Sequence, residues 1–175
     1  MNTSAVRVVA MATIITASFP GLEIARAGQG TASAGVEGGD VNAYKKDVVR
    51  WYEAFNRKDA ALLDGILSER WVDIPPAPRQ IPGRQGAKDF LAQLTAAFPD
   101  LAIKIEDVLQ DGNKVTVRSE ISGTQRGPFM GRPGQNRKMN IQAIDIHEFK
   151  AGRIVRTWHT EDWLTGLHQL GVLDE

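Results

Sequence analysis

Three ionisable side chains near the carboxyl end of the chain, Asp145, His147 and His159, are the residues best suited to chemistry. They lie in two stretches of alternating apolar and polar residues, joined by a turn at residues 150–153, and this pattern predicts a β-hairpin. A histidine with an ordinary pKa of about 6.5 can accept or give a proton near neutral pH. A carboxylate can stabilise the protonated imidazole, or act as an acid if burial raises its pKa. We therefore predict that His159 is a general base and that Asp145 is its catalytic partner.

The register of this hairpin decides whether the side chains share one face of the sheet. A two-residue turn at residues 151–152 would place His159 on the face opposite to Asp145. A turn with a bulge at Gly152 would instead place Asp145 opposite Thr157 and bring all three ionisable residues to one side. We favour the bulged turn, because glycine suits the left-handed backbone it requires. Asp145 and His159 would then be diagonal neighbours, separated by a gap that a small substrate could fill.

The same side chains allow two other interpretations. They could simply meet water on a half-exposed sheet face, which avoids the cost of burying them. Alternatively, two histidines and one carboxylate could hold a metal ion, as in mononuclear iron sites. The chain contains no cysteine, which excludes disulfides, thiolate nucleophiles and cysteine-ligated zinc.

The composition is that of an ordinary globular domain. The chain has 175 residues, of which 42% are apolar and 24% charged, and this size favours a single folded domain. The 21 Lys and Arg residues balance the 21 Asp and Glu residues. No basic excess is available to neutralise a phosphate backbone, so we predict no nucleic-acid partner.

The first 27 residues resemble an export signal. An uncharged apolar run over residues 8–19 follows Arg7, and Ala25-Arg26-Ala27 is a small-x-small cleavage pattern. The run is too short to span a bilayer, so we predict cleavage near Ala27, an exported protein and no stable membrane insertion. A poorly ordered extension or a misplaced start codon is the alternative. Residues 28–40 read as a flexible lead-in, and the folded domain is expected over residues 41–175.

The elements that must position the ionisable side chains begin with helices. Apolar residues recur at helical spacing from Tyr44 to Phe55, behind a potential N-cap at Asp40. Residues 62–67, capped by Asp59, predict a second, shorter helix, and residues 87–98 predict a third.

The apolar period then changes to two, which indicates strands. An extended segment ends at Pro75-Pro76, four later segments alternate between residues 101 and 160, and Asp162 can cap a last helical turn. These elements predict an α+β domain whose helices cover one face of a curved antiparallel sheet.

Several stretches, in this order and spacing, resemble the SnoaL-like polyketide cyclases, also called ester cyclases. The matching stretches are Trp51–Asn56, Trp71–Pro76, Gly127–Gly131, Ala143–His147, Gly152–Val155, Trp158-His159, Asp162-Trp163 and Leu170-Gly171. The likeness covers residues 41–172. The family belongs to the nuclear transport factor 2-like superfamily, together with ketosteroid isomerase and scytalone dehydratase.

The resemblance implies a cone-shaped α+β barrel, with a curved antiparallel sheet wrapped around N-terminal helices, and a homodimer. It also implies acid/base chemistry without cofactor or metal, acting on a small hydrophobic carbonyl compound by cyclisation, isomerisation or dehydration. The family's catalytic Asp falls on His159 and its His falls on Asp145, so the pair is present but exchanged. An Asn that lines the family's pocket falls near Asp73. The alternative is a non-catalytic, small-ligand-binding cone-fold protein of the cell envelope.

We expect six further residues to contact the substrate in an apolar pocket. They are Asp73, His147, Ile141, Trp71, Phe129 and Met130.

Overall fold

The computed structural model describes residues 41–173. The predicted signal peptide, its cleavage site near Ala27 and the lead-in over residues 28–40 lie outside the described residues. The elements, in chain order, are α1 (Val41–Arg57), α2 (Leu62–Ile66), β1 (Leu67–Ile74), α3 (Arg84–Ala97), β2 (Ala102–Asp111), β3 (Lys114–Thr124), β4 (Lys138–Lys150), β5 (Arg153–Glu161) and α4 (Trp163–Gln169).

The predicted helices are present, and the predicted cap of the last helix is confirmed. Helix α1 buries the apolar stripe that the spacing indicated, including Val48, Trp51 and Phe55. The predicted cap of α2 at Asp59 was wrong: the N-cap residue is Ala61, and Asp59 Oδ1 accepts a hydrogen bond from the backbone N–H of Ala61 in the turn before the helix. Asp162 caps α4 by accepting a hydrogen bond from the backbone N–H of Thr165.

The five strands form one open, mixed sheet in the order β1-β5-β4-β3-β2. Strands β2 to β5 pair antiparallel, as predicted, but β1 pairs parallel with β5. The expectation of a purely antiparallel sheet was therefore wrong at this edge. The pairing joins segments that lie far apart in the chain, and period-two patterns carry no information on which distant strand is the neighbour.

The inward face of the sheet carries the core. Alternate residues of β3 and β4, such as Val115, Val117, Ala143 and Phe149, are almost fully buried. Helices α1 and α3 contribute further buried residues to the same core. The α+β prediction, with helices covering one face of the sheet, is confirmed.

The turn between β4 and β5 has two residues rather than the predicted bulge. Lys150 pairs with Arg153, and Ala151 and Gly152 both have positive φ values of 50° and 71°, as in a type I′ turn. By itself this turn would separate Asp145 from His159.

A bulge further along β5 restores the common face. Phe149 pairs with Ile154, but Glu148 pairs with Arg156, so Val155 is the extra residue. The bulge allows Ile154 and Thr157, three residues apart, both to be buried.

The register places Asp145 directly opposite His159, and His147 opposite Thr157. The predicted pairing of Asp145 with Thr157 was wrong, as was the diagonal arrangement of Asp145 and His159. The prediction that all three ionisable side chains lie on one side of the sheet is confirmed.

Candidate active site

A cavity lies between α1, α3 and the inward face of the sheet, and Asp145 and His159 both line it. Its aromatic and aliphatic lining consists of Trp51, Phe55, Trp71, Ala87, Phe90, Leu94, Ile103, Ile121 and Trp163. The polar lining consists of Tyr52, Asp73, Gln80, Ser119, Asp145, Thr157, His159 and Glu161.

Asp145 is a nearly buried carboxyl group held by a tyrosine. The residue is 8% exposed, and Tyr52 Oη donates a hydrogen bond of 2.6 Å to Asp145 Oδ2. Burial raises the pKa of Asp145 to about 6; the hydrogen bond from Tyr52 opposes this rise, and the charge of Glu161 adds to it. Asp145 is therefore an anion at neutral pH that accepts a proton in slightly acidic solution, which suits a general base.

Tyr52 belongs to a chain of buried hydrogen bonds that ends at Asp145. His147 Nε2 lies 3.3 Å from Tyr52 Oη, and His147 Nδ1 lies 3.1 Å from Thr157 Oγ1. Trp71 Nε1 donates to Thr157 Oγ1 at 3.0 Å.

The donors and acceptors in this series of hydrogen bonds follow from its two end groups, the carboxylate of Asp145 and the indole N–H of Trp71. The hydroxyl proton of Tyr52 goes to ionised Asp145, so His147 Nε2–H must donate to the tyrosine oxygen. His147 Nδ1 then accepts from Thr157, whose oxygen accepts from Trp71. Every member is satisfied, and the chain fixes the orientation of the carboxyl group.

His147 is neutral in this arrangement. It is fully buried, and this burial, together with the charge of His159, lowers the pKa of His147 to about 3. We expected His147 to contact the substrate, but its two ring nitrogens face Tyr52 and Thr157. It acts on Asp145 indirectly, by holding the hydroxyl group of Tyr52 in place.

His159 is surrounded by hydrogen-bond acceptors. Its Nδ1 lies 2.9 Å from Glu161 Oε1, and its Nε2 lies 2.8 Å from the carbonyl oxygen of Pro75 and 3.2 Å from Asp73 Oδ1. Burial lowers the pKa of His159, but the hydrogen bonds and charges of Asp73 and Glu161 outweigh it and raise the pKa to about 11.

Both ring nitrogens of His159 therefore carry a proton at neutral pH, and the residue is a cation. An imidazolium has no lone pair with which to accept a proton. His159 is therefore unsuited to the role of general base that the sequence suggested for it, and Asp145 is the better candidate for that role. The pair stays the same, and the roles within it are exchanged.

One ligand atom each of Asp145, His159 and Glu161 lies within 4.8 Å of the others, close enough to surround an ion. The metal set considered from the sequence, which included His147, is not assembled, because His147 is engaged with Tyr52 and Thr157. Both nitrogens of His159 likewise face acceptors. These contacts describe an imidazolium held between carboxylates.

The structure brings two of the six expected substrate contacts to the cavity, namely Asp73 and Trp71. Asp73 also accepts a hydrogen bond of 3.0 Å from Gln80 Nε2, which ties the loop after β1 to the site.

Three of the expected contacts lie outside this cavity. Ile141 is buried beside Gly166 of α4. Phe129 packs between Phe98 and Trp163, with ring centroids 5.1 and 5.2 Å away. Met130 is 53% exposed at the tip of a turn. The glycine- and proline-rich stretch around Phe129 gave no sign of which side chains turn inward.

Five polar residues of the cavity were not identified by the sequence analysis, namely Tyr52, Gln80, Ser119, Thr157 and Glu161. Tyr52 was counted as part of the apolar stripe of α1, although a buried tyrosine hydroxyl needs a partner. Glu161 lies two residues after His159, and the period of a strand places both on the same face. Ser119 lies in phase with Val115, Val117 and Ile121, so the period-two pattern predicts only that it faces inward.

A model of the SnoaL-like polyketide cyclase family matches residues 46–170. The fold is that of a cone-like α+β domain of the nuclear transport factor 2-like superfamily. Within it, the chain belongs to the SnoaL-like polyketide cyclase family. No curated protein is similar enough to the chain to match it.

Solved structures support the same assignment. TsrD from Streptomyces laurentii is 27% identical, with a TM-score of 0.72 over 77% of this chain and 98% of that protein. IdmH from Streptomyces antibioticus, described as a candidate polyketide cyclase, is 29% identical, with a TM-score of 0.63 over 73% of this chain and 97% of its own. A candidate polyketide cyclase from Bacillus cereus is also 29% identical, with a TM-score of 0.64 over 72% and 78%.

Proposed function

We propose that the protein is a cofactor-free acid/base enzyme of the cyclase type, acting on a small hydrophobic carbonyl compound bound in an apolar cavity. The observation that carries the proposal is the state of Asp145. It is a nearly buried carboxylate with a pKa of about 6, held by Tyr52 and opposite the imidazolium of His159.

The first step is removal of a proton from the carbon next to the substrate carbonyl. Asp145 takes this proton, and the electrons of the C–H bond move to the carbonyl oxygen, forming an enolate. One negative charge leaves Asp145 and appears on the substrate, so the total charge in the cavity does not change. His159 provides a fixed positive charge that stabilises the anion in both places.

The enolate carbon can then attack a second carbonyl group of the same molecule, which closes a ring and leaves an alkoxide. Protonated Asp145 returns its proton to that alkoxide, and the carboxylate is regenerated. Returning the proton to another carbon would be an isomerisation instead. Both outcomes use the same base, so the cavity supports the class of chemistry rather than one product.

A suitable test is hydrogen–deuterium exchange at the methyl group of 2-acetylnaphthalene, followed by NMR in D₂O. The wild type should accelerate exchange, with a rate that rises as the solution passes about pH 6. Asp145→Asn should lower the rate by about 10²- to 10⁴-fold, the usual contribution of a positioned base. Asp89→Asn, on the exposed side of α3, is the control and should leave the rate unchanged.

The alternative, a ligand-binding protein without catalysis, makes a different prediction in this experiment. The ketone would bind to the wild type and to Asp145→Asn alike, and exchange would run no faster than in buffer. That result would overturn the enzymatic proposal.

Export and homodimer formation stay predictions. No helix within residues 41–173 has both the length and the apolar character needed to cross a membrane.

A further inference from the structure

Ser119 is a buried hydroxyl group whose hydrogen-bonding capacity is unused. The residue is 1% exposed, and no described residue offers a hydrogen-bond partner to its Oγ. It also lines the cavity that contains Asp145.

The sheet register places this hydroxyl group beside the base. Ser119 of β3 pairs with Ala143 of β4, whereas Asp145 pairs with Val117. Ser119 and Asp145 are therefore diagonal neighbours with side chains on the same inward face.

An unsatisfied buried hydroxyl destabilises a fold, since it loses its hydrogen bonds to water without replacement. Alanine at this position would avoid the penalty, and Val115 and Val117 of the same strand show that the face accepts apolar residues. The fold alone gives no reason for a serine here.

The other hydroxyl groups of the cavity are engaged. Tyr52 donates to Asp145, and Thr157 lies between Trp71 and His147. Both ring nitrogens of His159 face protein acceptors. Among the three hydroxyl groups that line this cavity, Ser119 alone is left to bind a ligand.

We infer that the Ser119 hydroxyl donates a hydrogen bond to the carbonyl oxygen of the substrate, so that the adjacent C–H bond faces Asp145. The ligand class is an uncharged, hydrophobic ketone or ester. The step assigned to Asp145 rests on the proposed function, whereas recognition of the carbonyl oxygen by Ser119 does not. Once the proton is removed, the same hydroxyl donates to the enolate oxygen, where a hydrogen bond to a charged acceptor is stronger.

The test compares two probes of equal shape. 2-Acetylnaphthalene carries the carbonyl group, and 2-isopropenylnaphthalene replaces its oxygen with a CH₂ group. Binding is measured by quenching of tryptophan fluorescence, since Trp51 and Trp71 line the cavity. The wild type should prefer the ketone by about 3- to 10-fold, the usual contribution of one neutral hydrogen bond. Ser119→Ala should lose this preference through weaker ketone binding, with unchanged binding of the hydrocarbon.

The melting temperature separates a binding role from a structural one. Ser119→Ala should melt at the same temperature as the wild type or higher, because it removes an unsatisfied group. Ser122→Ala is the matched control, since Ser122 lies on the same strand outside the cavity and should leave both the preference and the fold unchanged. A lower melting temperature of Ser119→Ala would overturn the inference by giving the hydroxyl a structural role.

The binding data also distinguish the inference from the proposed function. If the wild type binds the ketone preferentially through Ser119 but never exchanges its protons, the inference holds and the enzymatic proposal fails. If exchange occurs but Ser119→Ala keeps the ketone preference, the inference fails and the enzymatic proposal holds. A wild type that shows no preference for the ketone also overturns the inference.

Discussion

Replacing Asp145 with asparagine should stabilise the fold at neutral pH while it removes the catalytic base. Asp145 is 8% exposed, and the pKa of its carboxyl group is raised, mainly by burial, from an ordinary 3.8 to about 6. Asparagine has nearly the same shape, and its amide oxygen can still accept the hydrogen bond from Tyr52. The substitution therefore changes the charge and preserves the packing.

The size and pH dependence of this effect follow from the two pKa values. Between about pH 4 and pH 6, the folded protein keeps the proton of Asp145 and the unfolded chain has lost it. The free energy of unfolding of the wild type therefore falls as the pH rises through this window. At 1.36 kcal/mol per pKa unit, the penalty reaches about 3 kcal/mol above pH 7. Asp145→Asn avoids this penalty, because asparagine has no charge.

The assay is urea denaturation of both proteins at half-unit steps from pH 4.5 to pH 8. The advantage of Asp145→Asn over the wild type should grow with pH and level off above pH 7. Asp100→Asn is a control of opposite sign, because hydrogen bonds from Thr124 lower the pKa of Asp100. The pKa of Asp100 lies below 3.8 in the folded protein, so its stabilising effect is fully present throughout this range. Asp100→Asn should therefore be less stable than the wild type by an amount that stays nearly constant from pH 4.5 to pH 8. A difference for Asp145→Asn that is constant with pH, or that shrinks as the pH rises, would refute the reasoning.

Three other outcomes are expected. Tyr52→Phe removes a hydrogen bond that lowers the pKa of Asp145. The pH at which the exchange rate rises should therefore increase by about 1–2 units, and an unchanged pH would contradict this role of Tyr52. Zinc, iron and manganese should be absent in stoichiometric amounts by elemental analysis, and EDTA should not change the exchange rate; one equivalent retained through dialysis would favour a metal site at Asp145, His159 and Glu161. Protein from a native host should begin at Gly28 by N-terminal sequencing, and an intact Met1 in the cytoplasmic fraction would contradict export.

The helices and most strands could be predicted because their apolar periods are local. The stripe of α1 and the cap at Asp162 depend on residues a few positions apart, and the structure contains them. The parallel pairing of β1 with β5 depends on contacts between distant segments, and no local pattern encodes it. The family resemblance supplied the cone-like fold that the periods alone left open.

The prediction that Asp145 and His159 lie on the same face of the sheet is confirmed, but the turn from which it was argued was wrong. The sequence suggested a shift of register at Gly152, but the shift lies at Val155, where two buried positions of β5 are three residues apart. Either shift turns His159 to the same side. The charge of His159 could not be predicted, because it depends on Asp73, which arrives from the end of β1, together with Glu161 of its own strand.

The charge balance of the cavity makes a last prediction about the ligand. Three carboxylates, those of Asp73, Asp145 and Glu161, face one imidazolium, and no lysine or arginine is among the residues that line the described cavity. Above pH 6 these groups leave two uncompensated negative charges, and protonation of Asp145 below pH 6 leaves one, so a ligand carboxylate would be repelled. Each uncompensated charge about 7 Å away costs roughly 2 kcal/mol at an effective dielectric constant of about 20.

Methyl 2-naphthoate should therefore bind at least about 30-fold more tightly than 2-naphthoate at pH 7.5, by the same fluorescence measurement. The two molecules share the aromatic body and the carbonyl group, so their difference isolates the charge. Lowering the pH to 5 protonates Asp145, whose pKa is about 6. The ester's advantage should narrow there, while 2-naphthoate itself stays largely ionised. A carboxylate that binds as tightly as the ester at pH 7.5 would show that the acidic groups of the cavity are neutralised by a cation, and the charges assigned to Asp73 and Glu161 would be wrong.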